Sequence, residues 1–238
     1  MDNKKIGQHI SRQFNEEMED IRHKVLTMGG IVEEQIEQAA QAFMQCNLEQ
    51  AEKVIQKDDL VDSLEIEIDQ ECTEILARRQ PAAFDLRMLI ATLKIITDLE
   101  RIGDESVRIA KMTMALEKTE YYHDKYHEIH HLLDLVKGML HNSLDCLARL
   151  DADNVIAIKM EDEKVDREYG SIIRQLITRM MEDPRNITRA LDVLWTARSL
   201  ERIGDHSCNI SEHVTYMVKG QDVRHISCEE LEKVINKQ

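Results

Sequence analysis

Residues that interrupt helices are scarce in this chain of 238 residues, which contains two prolines and eight glycines. Aromatic residues make up 4% of the chain, and segments with the alternating pattern of β-strands are missing. The abundant residues are Leu, Ile, Met, Ala and the four charged types, which favour helix over strand. These features predict an all-α protein.

Positive charge and long apolar runs are also in short supply. The formal net charge is −15, which argues against a nucleic-acid partner because neutralising phosphates requires clustered Lys and Arg. It favours cations or basic protein patches instead. Residues 1–13 are polar and lack the apolar core of a secretory signal, and the longest apolar stretch, residues 88–96, is interrupted by Lys94. We therefore expect a cytoplasmic protein that does not span a membrane.

The chain contains an internal repeat. The sequence Leu-Glu-Arg-Ile-Gly-Asp occurs at residues 99–104 and again, unchanged, at residues 200–205. An acidic segment at residues 57–62 resembles another at residues 161–166. The similar separations of these pairs indicate a duplicated structural unit.

Helical spacing of apolar residues predicts six long helices, and short polar turns between them predict antiparallel neighbours. Pro81 and Pro184 end helical patterns at matching places, and each is expected in the first turn of the next helix. The predicted architecture is two tandem, pseudo-symmetric, up-down-up three-helix bundles. The helices are predicted near residues 8–46, 48–79, 82–117, 120–150, 152–182 and 186–219. The units are residues 1–118 and 119–219, followed by a C-terminal tail at residues 220–238.

Acidic residues occupy helix faces that are otherwise apolar. A spacing of four residues places two carboxylates on one face, about 5–6 Å apart. Two such pairs occur in each half, one on its second helix and one on its third. Two facing helices would therefore bring four carboxylates together in each bundle. The eight residues are Asp58, Asp62, Glu100, Asp104, Asp162, Asp166, Glu201 and Asp205.

Burying several like charges costs several kcal/mol per ion unless a countercharge is present. Ligands made only of oxygen suit hard cations such as Mg²⁺, Mn²⁺ or Ca²⁺, and also ferric iron. Gly103 and Gly204 lie inside helices between paired carboxylates, which predicts a close approach of the neighbouring helix. Salt bridges are the alternative, and the repetition favours a metal site in each half. The basic residues available for such bridges are Lys94, Arg101, Arg108, Arg198 and Arg202.

The repeated hexapeptide resembles the PhoU family of phosphate-uptake regulators, and the likeness extends over nearly the whole chain. Four further segments carry it: residues 28–30, 78–81, 94–96 and 219–222. The resemblance implies paired three-helix bundles whose acidic motifs can hold metal ions or metal clusters. All eight carboxylates named above match those motifs.

The resemblance also implies a function. Members of the family act as negative regulators of the phosphate-starvation response, linking a phosphate ABC transporter to a membrane sensor histidine kinase. We therefore expect partners in the transporter's ATPase subunit and in the kinase, peripheral contact with the membrane only through them, and no enzymatic activity. We also expect a homodimer.

An enzyme is the main alternative. Residues 58–62 fit the DDxxD pattern by which all-helical isoprenoid synthases hold diphosphate through magnesium, with residues 162–166 as the partner segment. Such synthases need a deep apolar cavity inside a larger single bundle. Two three-helix units of this length predict little spare interior, which disfavours this alternative.

Histidines offer two further metal hypotheses. A ferritin-type di-iron site needs Glu-x-x-His on two facing helices, whereas residues 120–123 and 128–131 both lie near the start of one predicted helix. His123, His127 and His131 recur every four residues and have the spacing for a transition metal. A hydrated surface cluster is the favoured interpretation of these three.

Overall fold

The computed structural model describes residues 3–116 and 127–235, and within these ranges its regular structure is entirely helical. The predicted all-α class and six long helices are confirmed, although the predicted start of the fourth helix at residue 120 lies outside the described residues. The helices are α1 (Asn3–Gln45), α2 (Leu48–Arg78), α3 (Ala83–Leu116), α4 (His127–Arg149), α5 (Val155–Glu182), α6 (Ile187–Lys219) and α7 (Cys228–Ile235).

The duplication extends to the turns between the first two helices of each half. Cys46, before α2, and Leu150, before α5, both have a positive φ, at 51° and 53°. Left-handed backbone is uncommon for side chains other than glycine, so its recurrence at matched positions marks the same turn geometry. Asn47 then caps α2, because its side-chain oxygen accepts a hydrogen bond from the Gln50 backbone N–H at 3.1 Å.

Pro81 precedes α3, so its predicted place in the first turn of that helix is wrong, whereas Pro184 lies, as predicted, in the first turn of the helical segment that follows it. Pro81 lies in the irregular segment before α3. Pro184 opens a separate 3₁₀ turn, Pro184–Asn186, whose start is capped by the Asp183 carboxylate accepting from the Arg185 backbone N–H at 3.1 Å. A residue that precedes proline favours extended backbone, and Asp183 has φ −143° and ψ 101°.

Helices α1, α2 and α3 pack against one another, as do α4, α5 and α6. Contacts between α3 and α6 and between α1 and α4 join the two bundles, and buried apolar side chains form one continuous core through both. The predicted pair of three-helix bundles is confirmed. The unit boundaries at residues 118 and 219 remain predictions.

The segment predicted as a polar tail contains the short helix α7. This helix packs against α5 and α6, and its Leu231 side chain is fully buried. Gly220 ends α6 with a left-handed backbone, φ 71°, and its N–H donates to the Tyr216 carbonyl at 2.9 Å. Eight residues are too few for helical periodicity to stand out in sequence, which explains why α7 was not predicted.

Three cysteines lie in the interior. Cys72, Cys146 and Cys208 are buried, and burial raises the pKa of the Cys146 thiol to about 11.

In the described part of the chain, no helix combines the length and apolar character that crossing a membrane requires.

Candidate metal centres

Helices α2 and α3 bring together the four predicted carboxylates of the first half. Asp58, Glu100 and Asp104 are half-buried and Asp62 is exposed. Burial raises the pKa of Asp58, and repulsion from Asp62 and Asp104 raises it further. The pKa of Glu100 is likewise raised, first by burial and then by Asp104. The four carboxylates therefore share one electrostatic environment.

Helices α5 and α6 repeat the arrangement with deeper burial. The pKa of Asp162 rises to about 6, through burial and then repulsion from Asp205 and Asp166. That of Glu201 rises to about 7, through burial and then Asp205. Glu201 is 8% exposed, whereas Asp166 and Asp205 reach the surface. In each half, the first carboxylate of each helix lies further inside than the second. We call Asp58, Glu100, Asp162 and Glu201 the inner carboxylates, and Asp62, Asp104, Asp166 and Asp205 the outer carboxylates.

The helical glycines allow this close approach, as predicted. A Cβ atom on Gly103 would lie 3.0 Å from Asp58 Oδ1. One on Gly204 would lie 3.3 Å from Val165 Cγ1 and 3.8 Å from Asp162 Oδ1. A larger residue would crowd the inner Asp58 at Gly103 and the buried Val165 at Gly204, so both glycines ease the packing of the two helices.

Two polar neighbours of the first site, Gln35 and Glu65, were not among the predicted site residues. The Gln35 amide, on α1, donates to Asp58 Oδ1 at 3.3 Å, and the Thr97 hydroxyl donates to Glu65 at 3.4 Å. Burial, together with repulsion from Asp62, raises the pKa of Glu65. Its position three residues after Asp62 was a usable signal, because residues three apart share a helix face. Gln35 lies on the first helix of the unit, which carries no acidic motif.

Hydrogen bonding is incomplete at both inner sites. Asp162 Oδ1 and Glu201 Oε2 are buried without a hydrogen-bond partner, and so is Gln35 Oε1 in the first half. An unsatisfied buried polar atom costs about 1–3 kcal/mol. A cation between the carboxylates would satisfy such oxygens.

Salt bridges supply part of the countercharge. Arg101 lies 3.3 Å from both Glu100 and Asp104, and Arg198 donates to Glu201 Oε1 at 2.5 Å. Both guanidinium groups are exposed, so water screens these pairs. The other three basic residues predicted as salt-bridge partners contact other groups: Lys94 the Tyr216 ring, and Arg108 and Arg202 the Glu105 carboxylate.

Within residues 3–116 and 127–235, no three His, Cys, Asp or Glu side chains converge closely enough to hold a metal ion as they stand. The donor set nevertheless fits a hard cation, because it consists of carboxylate oxygens and two of these, Asp162 Oδ1 and Glu201 Oε2, are buried and unpaired. The remaining two carboxylates of this half, Asp166 and Asp205, are exposed.

The competing motifs fit the structure less well. Asp59 and Glu163, the second acidic residues of the two DDxxD-like segments, are exposed and lie outside the inner carboxylate pairs. In the proposed histidine cluster, His131 is exposed and His123 lies outside the described residues.

Comparison with known proteins agrees with the duplication. The PhoU domain family model matches the chain twice, at residues 25–113 and 129–214. The two matches correspond to the two bundles.

Relatives match the chain over most of its length. The phosphate-specific transport system accessory protein PhoU of Escherichia coli (strain K12) is 45% identical over 236 residues, covering 99% of this chain and 97% of that protein. The PhoU homolog of Pseudomonas putida that bears the same description is 47% identical over 221 residues, covering 93% of this chain and 86% of that protein.

Solved structures show the same fold. The crystal structure of PhoU from Pseudomonas aeruginosa is 46% identical, with a TM-score of 0.84, and covers 87% of this chain and 100% of that one. The phosphate transport system regulatory protein PhoU from Streptococcus pneumoniae is 28% identical, with a TM-score of 0.81, and covers 88% of this chain and 99% of that one. The chain therefore belongs to the PhoU family.

Proposed function

We propose that this protein is a negative regulator of phosphate uptake and of the phosphate-starvation response. It would act by binding between the ATPase subunit of a phosphate ABC transporter and a sensor histidine kinase, without catalytic turnover. The observation that carries the proposal is the near full-length match, at 45% identity, to a protein named as an accessory of the phosphate-specific transport system. Long helices with exposed polar faces suit such a role because they offer extended surfaces to protein partners.

The proposal includes a cytoplasmic location, a homodimer, and contact with the membrane only through these partners. A formal net charge of −15 supports the last point, because it opposes direct binding to anionic lipid or to nucleic acid.

Deletion of the gene tests the regulatory function. We expect phosphate-starvation genes to be expressed even when phosphate is plentiful, and a plasmid copy to restore repression. Purified protein should hydrolyse neither phosphoesters nor diphosphates. Normal repression in the deletion strain would contradict the proposal. Magnesium-dependent hydrolysis that is lost in Asp58→Asn and Asp162→Asn would instead support the DDxxD enzyme.

A second part of the proposal is that each half holds a hard cation. In the first half the ligands would be Asp58, Asp62, Glu100 and Asp104, and in the second half Asp162, Asp166, Glu201 and Asp205. A bound cation would neutralise the mutual repulsion of these groups and stabilise the folded chain by ligand linkage. The orphaned oxygens of the second half support this assignment most directly.

Metal analysis of protein purified without chelator, followed by thermal melts with added Mn²⁺, Mg²⁺ or Ca²⁺, tests the cation sites. At a metal concentration of 100 times Kd, linkage adds about 2.7 kcal/mol to the unfolding free energy per site. The paired variant Glu201→Gln/Asp205→Asn should lose the stabilisation that metal binding at the second site provides. Glu163→Gln, an exposed neighbour of Asp162, is the matched control. A melting temperature that no hard metal changes would contradict the cation sites and leave the regulatory proposal standing.

A further inference from the structure

The second half exposes large apolar side chains where α5 ends and α6 begins. Met181 is 79% exposed and Trp195 is 56% exposed. We call this surface the apolar stripe. It consists of Ile177, Met181, Ile187, Leu191 and Trp195, all of them exposed. The three residues of the stripe on α6 are spaced four residues apart and therefore lie on one helix face.

The duplicated fold does not require most of the stripe. At the matched positions of the first half, α2 carries Thr73 and Ala77, and α3 carries Lys94 in place of the tryptophan. The other two matched residues of α3 remain apolar: Leu86 is exposed and Ile90 is partly buried. Because the first bundle folds without large apolar side chains at three of the five positions, those of the second bundle exceed what packing needs, and exposed apolar patches of this kind mark interaction sites.

Charge around the stripe is opposite in sign to that of the whole protein. Residues 174–201 contain five arginines and four acidic residues, in a chain whose formal net charge is −15. Arg174 and Arg185 are exposed; Arg185 also pairs with Asp183 at 2.9 Å, and Arg198 pairs with Glu201. The five arginines are Arg174, Arg179, Arg185, Arg189 and Arg198. A partner with acidic groups beside its apolar ones would be complementary to this surface.

We infer that the apolar stripe binds an amphipathic helix of another protein, with apolar side chains along one face and Asp or Glu along its edges. The α6 part of the stripe, from Ile187 to Trp195, spans about 12 Å at 1.5 Å per residue, which matches about two turns of a partner helix. Recognition of a helix by a surface between two helices uses anchors at this spacing. The tryptophan supplies the residue type most enriched among binding hot spots.

Charge disfavours two other possible occupants of the stripe, a second copy of this chain and an anionic lipid bilayer. In a symmetric dimer the stripe would face its own copy, bringing Arg174 and Arg185 towards like charges. An anionic bilayer is broad, and Glu201 and Asp205 follow Trp195 on the same helix within about 15 Å. These carboxylates would repel lipid headgroups, whereas a single helix can occupy the stripe alone.

Trp195 is the only tryptophan in the chain, so its fluorescence reports on this surface directly. The probe is a synthetic amphipathic helix of leucine and glutamate, compared with the same peptide carrying lysine at each glutamate and with a scrambled sequence. With chelator present, we expect the acidic peptide alone to shift the emission to the blue in a saturable way. Leu191→Ser or Met181→Ser should weaken binding at least about tenfold, as expected for hot-spot residues. Ile66→Ser, at an exposed residue of α2, should leave it unchanged.

Three results would overturn the inference. The first is equal binding of the lysine peptide or no binding of the acidic one. The second is a blue shift with phosphatidylglycerol vesicles but not with the acidic peptide, which would indicate a lipid surface. The third is a blue shift that grows with protein concentration alone, which would indicate self-association. Circular dichroism checks folding, and should a serine variant unfold, Arg174→Glu still tests charge, because this exposed change should weaken binding of the acidic peptide.

Discussion

The two acidic sites have the same motif residues but different surroundings. In the first half, Gln35 of α1 donates a hydrogen bond to the inner Asp58 at 3.3 Å. The matched position on α4 is Met139, whose sulfur lies 3.7 Å from the position of a Cβ on Gly204, and Asp162 Oδ1 is left without a partner. The duplicated helices supply the carboxylates, and the remaining helix of each bundle decides how well they are satisfied.

A second contrast lies at the outer side of the sites. The first site has an additional carboxylate, Glu65, whereas the matched residue of the second is Tyr169, whose ring lies 5.8 Å from the Arg198 guanidinium carbon. Even with that cation nearby, burial raises the pKa of Glu201 to about 7. The second site is thus the drier and less satisfied of the two, and we expect it to bind a hard cation more tightly.

The largest expected effect comes from filling the glycine positions. Gly204→Leu would force a side chain against the fully buried Val165, 3.3 Å from the new Cβ, and should lower the unfolding free energy by about 3 kcal/mol. Gly103→Leu should cost less, because the nearest atom to its Cβ is a carboxylate oxygen of Asp58, which can rotate away. Urea unfolding measures both.

Gly138 is the control for these variants, since a Cβ there has no neighbour within 4 Å. Gly138→Leu should be neutral or raise stability by up to about 1 kcal/mol through helix propensity. A Gly204 variant as stable as the wild type, or a larger loss at Gly103, would contradict the view that the neighbours of Gly204 yield less to a new side chain than those of Gly103.

The next effect is a dependence on pH in chelated protein. The pKa of Glu201 is raised from 4.5 to about 7 by burial, so between these values the folded chain holds a proton that the unfolded chain has released. Its unfolding free energy should therefore fall as pH rises through this window and level off above it. Urea unfolding at about pH 5 and about pH 8 measures this decrease in unfolding free energy, and Glu201→Gln should make it smaller by about 2 kcal/mol. Glu100→Gln, at a half-buried carboxylate, should reduce the decrease by less. Equal effects of the two variants would contradict the expected difference in burial between the sites.

Sequence alone was sufficient for the helices, the duplication and the acidic clusters, because each depends on periodic spacing within one helix. It was insufficient where the decisive neighbour belongs to another element. Gln35 and Met139 lie on α1 and α4, outside the acidic repeat, and only packing brings them to the inner aspartates. The apolar stripe was missed for the same reason, since Leu191 and Trp195 resemble core residues until burial is known.

Exchanging the residues of α1 and α4 tests the first contrast. Gln35→Met removes the donor to Asp58 and should cost about 1 kcal/mol in unfolding free energy. Met139→Gln offers a donor to Asp162 Oδ1, and should lower the pKa of Asp162 from about 6 and stabilise chelated protein near neutral pH. Carboxyl titration by NMR, beside urea unfolding, measures both. Should Met139→Gln leave the titration of Asp162 unchanged, the difference between the sites would have another origin.

The smallest effect concerns the arginine at the first site. Arg101 contacts Glu100 and Asp104 at 3.3 Å, but its side chain is half exposed, so Arg101→Gln should lower the unfolding free energy by less than about 0.5 kcal/mol. The same change removes a positive charge that competes with a cation for these carboxylates, and it should therefore strengthen metal binding at the first site. Calorimetric titration with Mn²⁺ of the Glu201→Gln/Asp205→Asn background isolates that site. Arg108→Gln, whose guanidinium contacts Glu105 instead, is the matched control. If Arg101→Gln weakens Mn²⁺ binding, the arginine orients the carboxylates for metal, and the two sites differ in their mechanism of charge compensation as well as in burial.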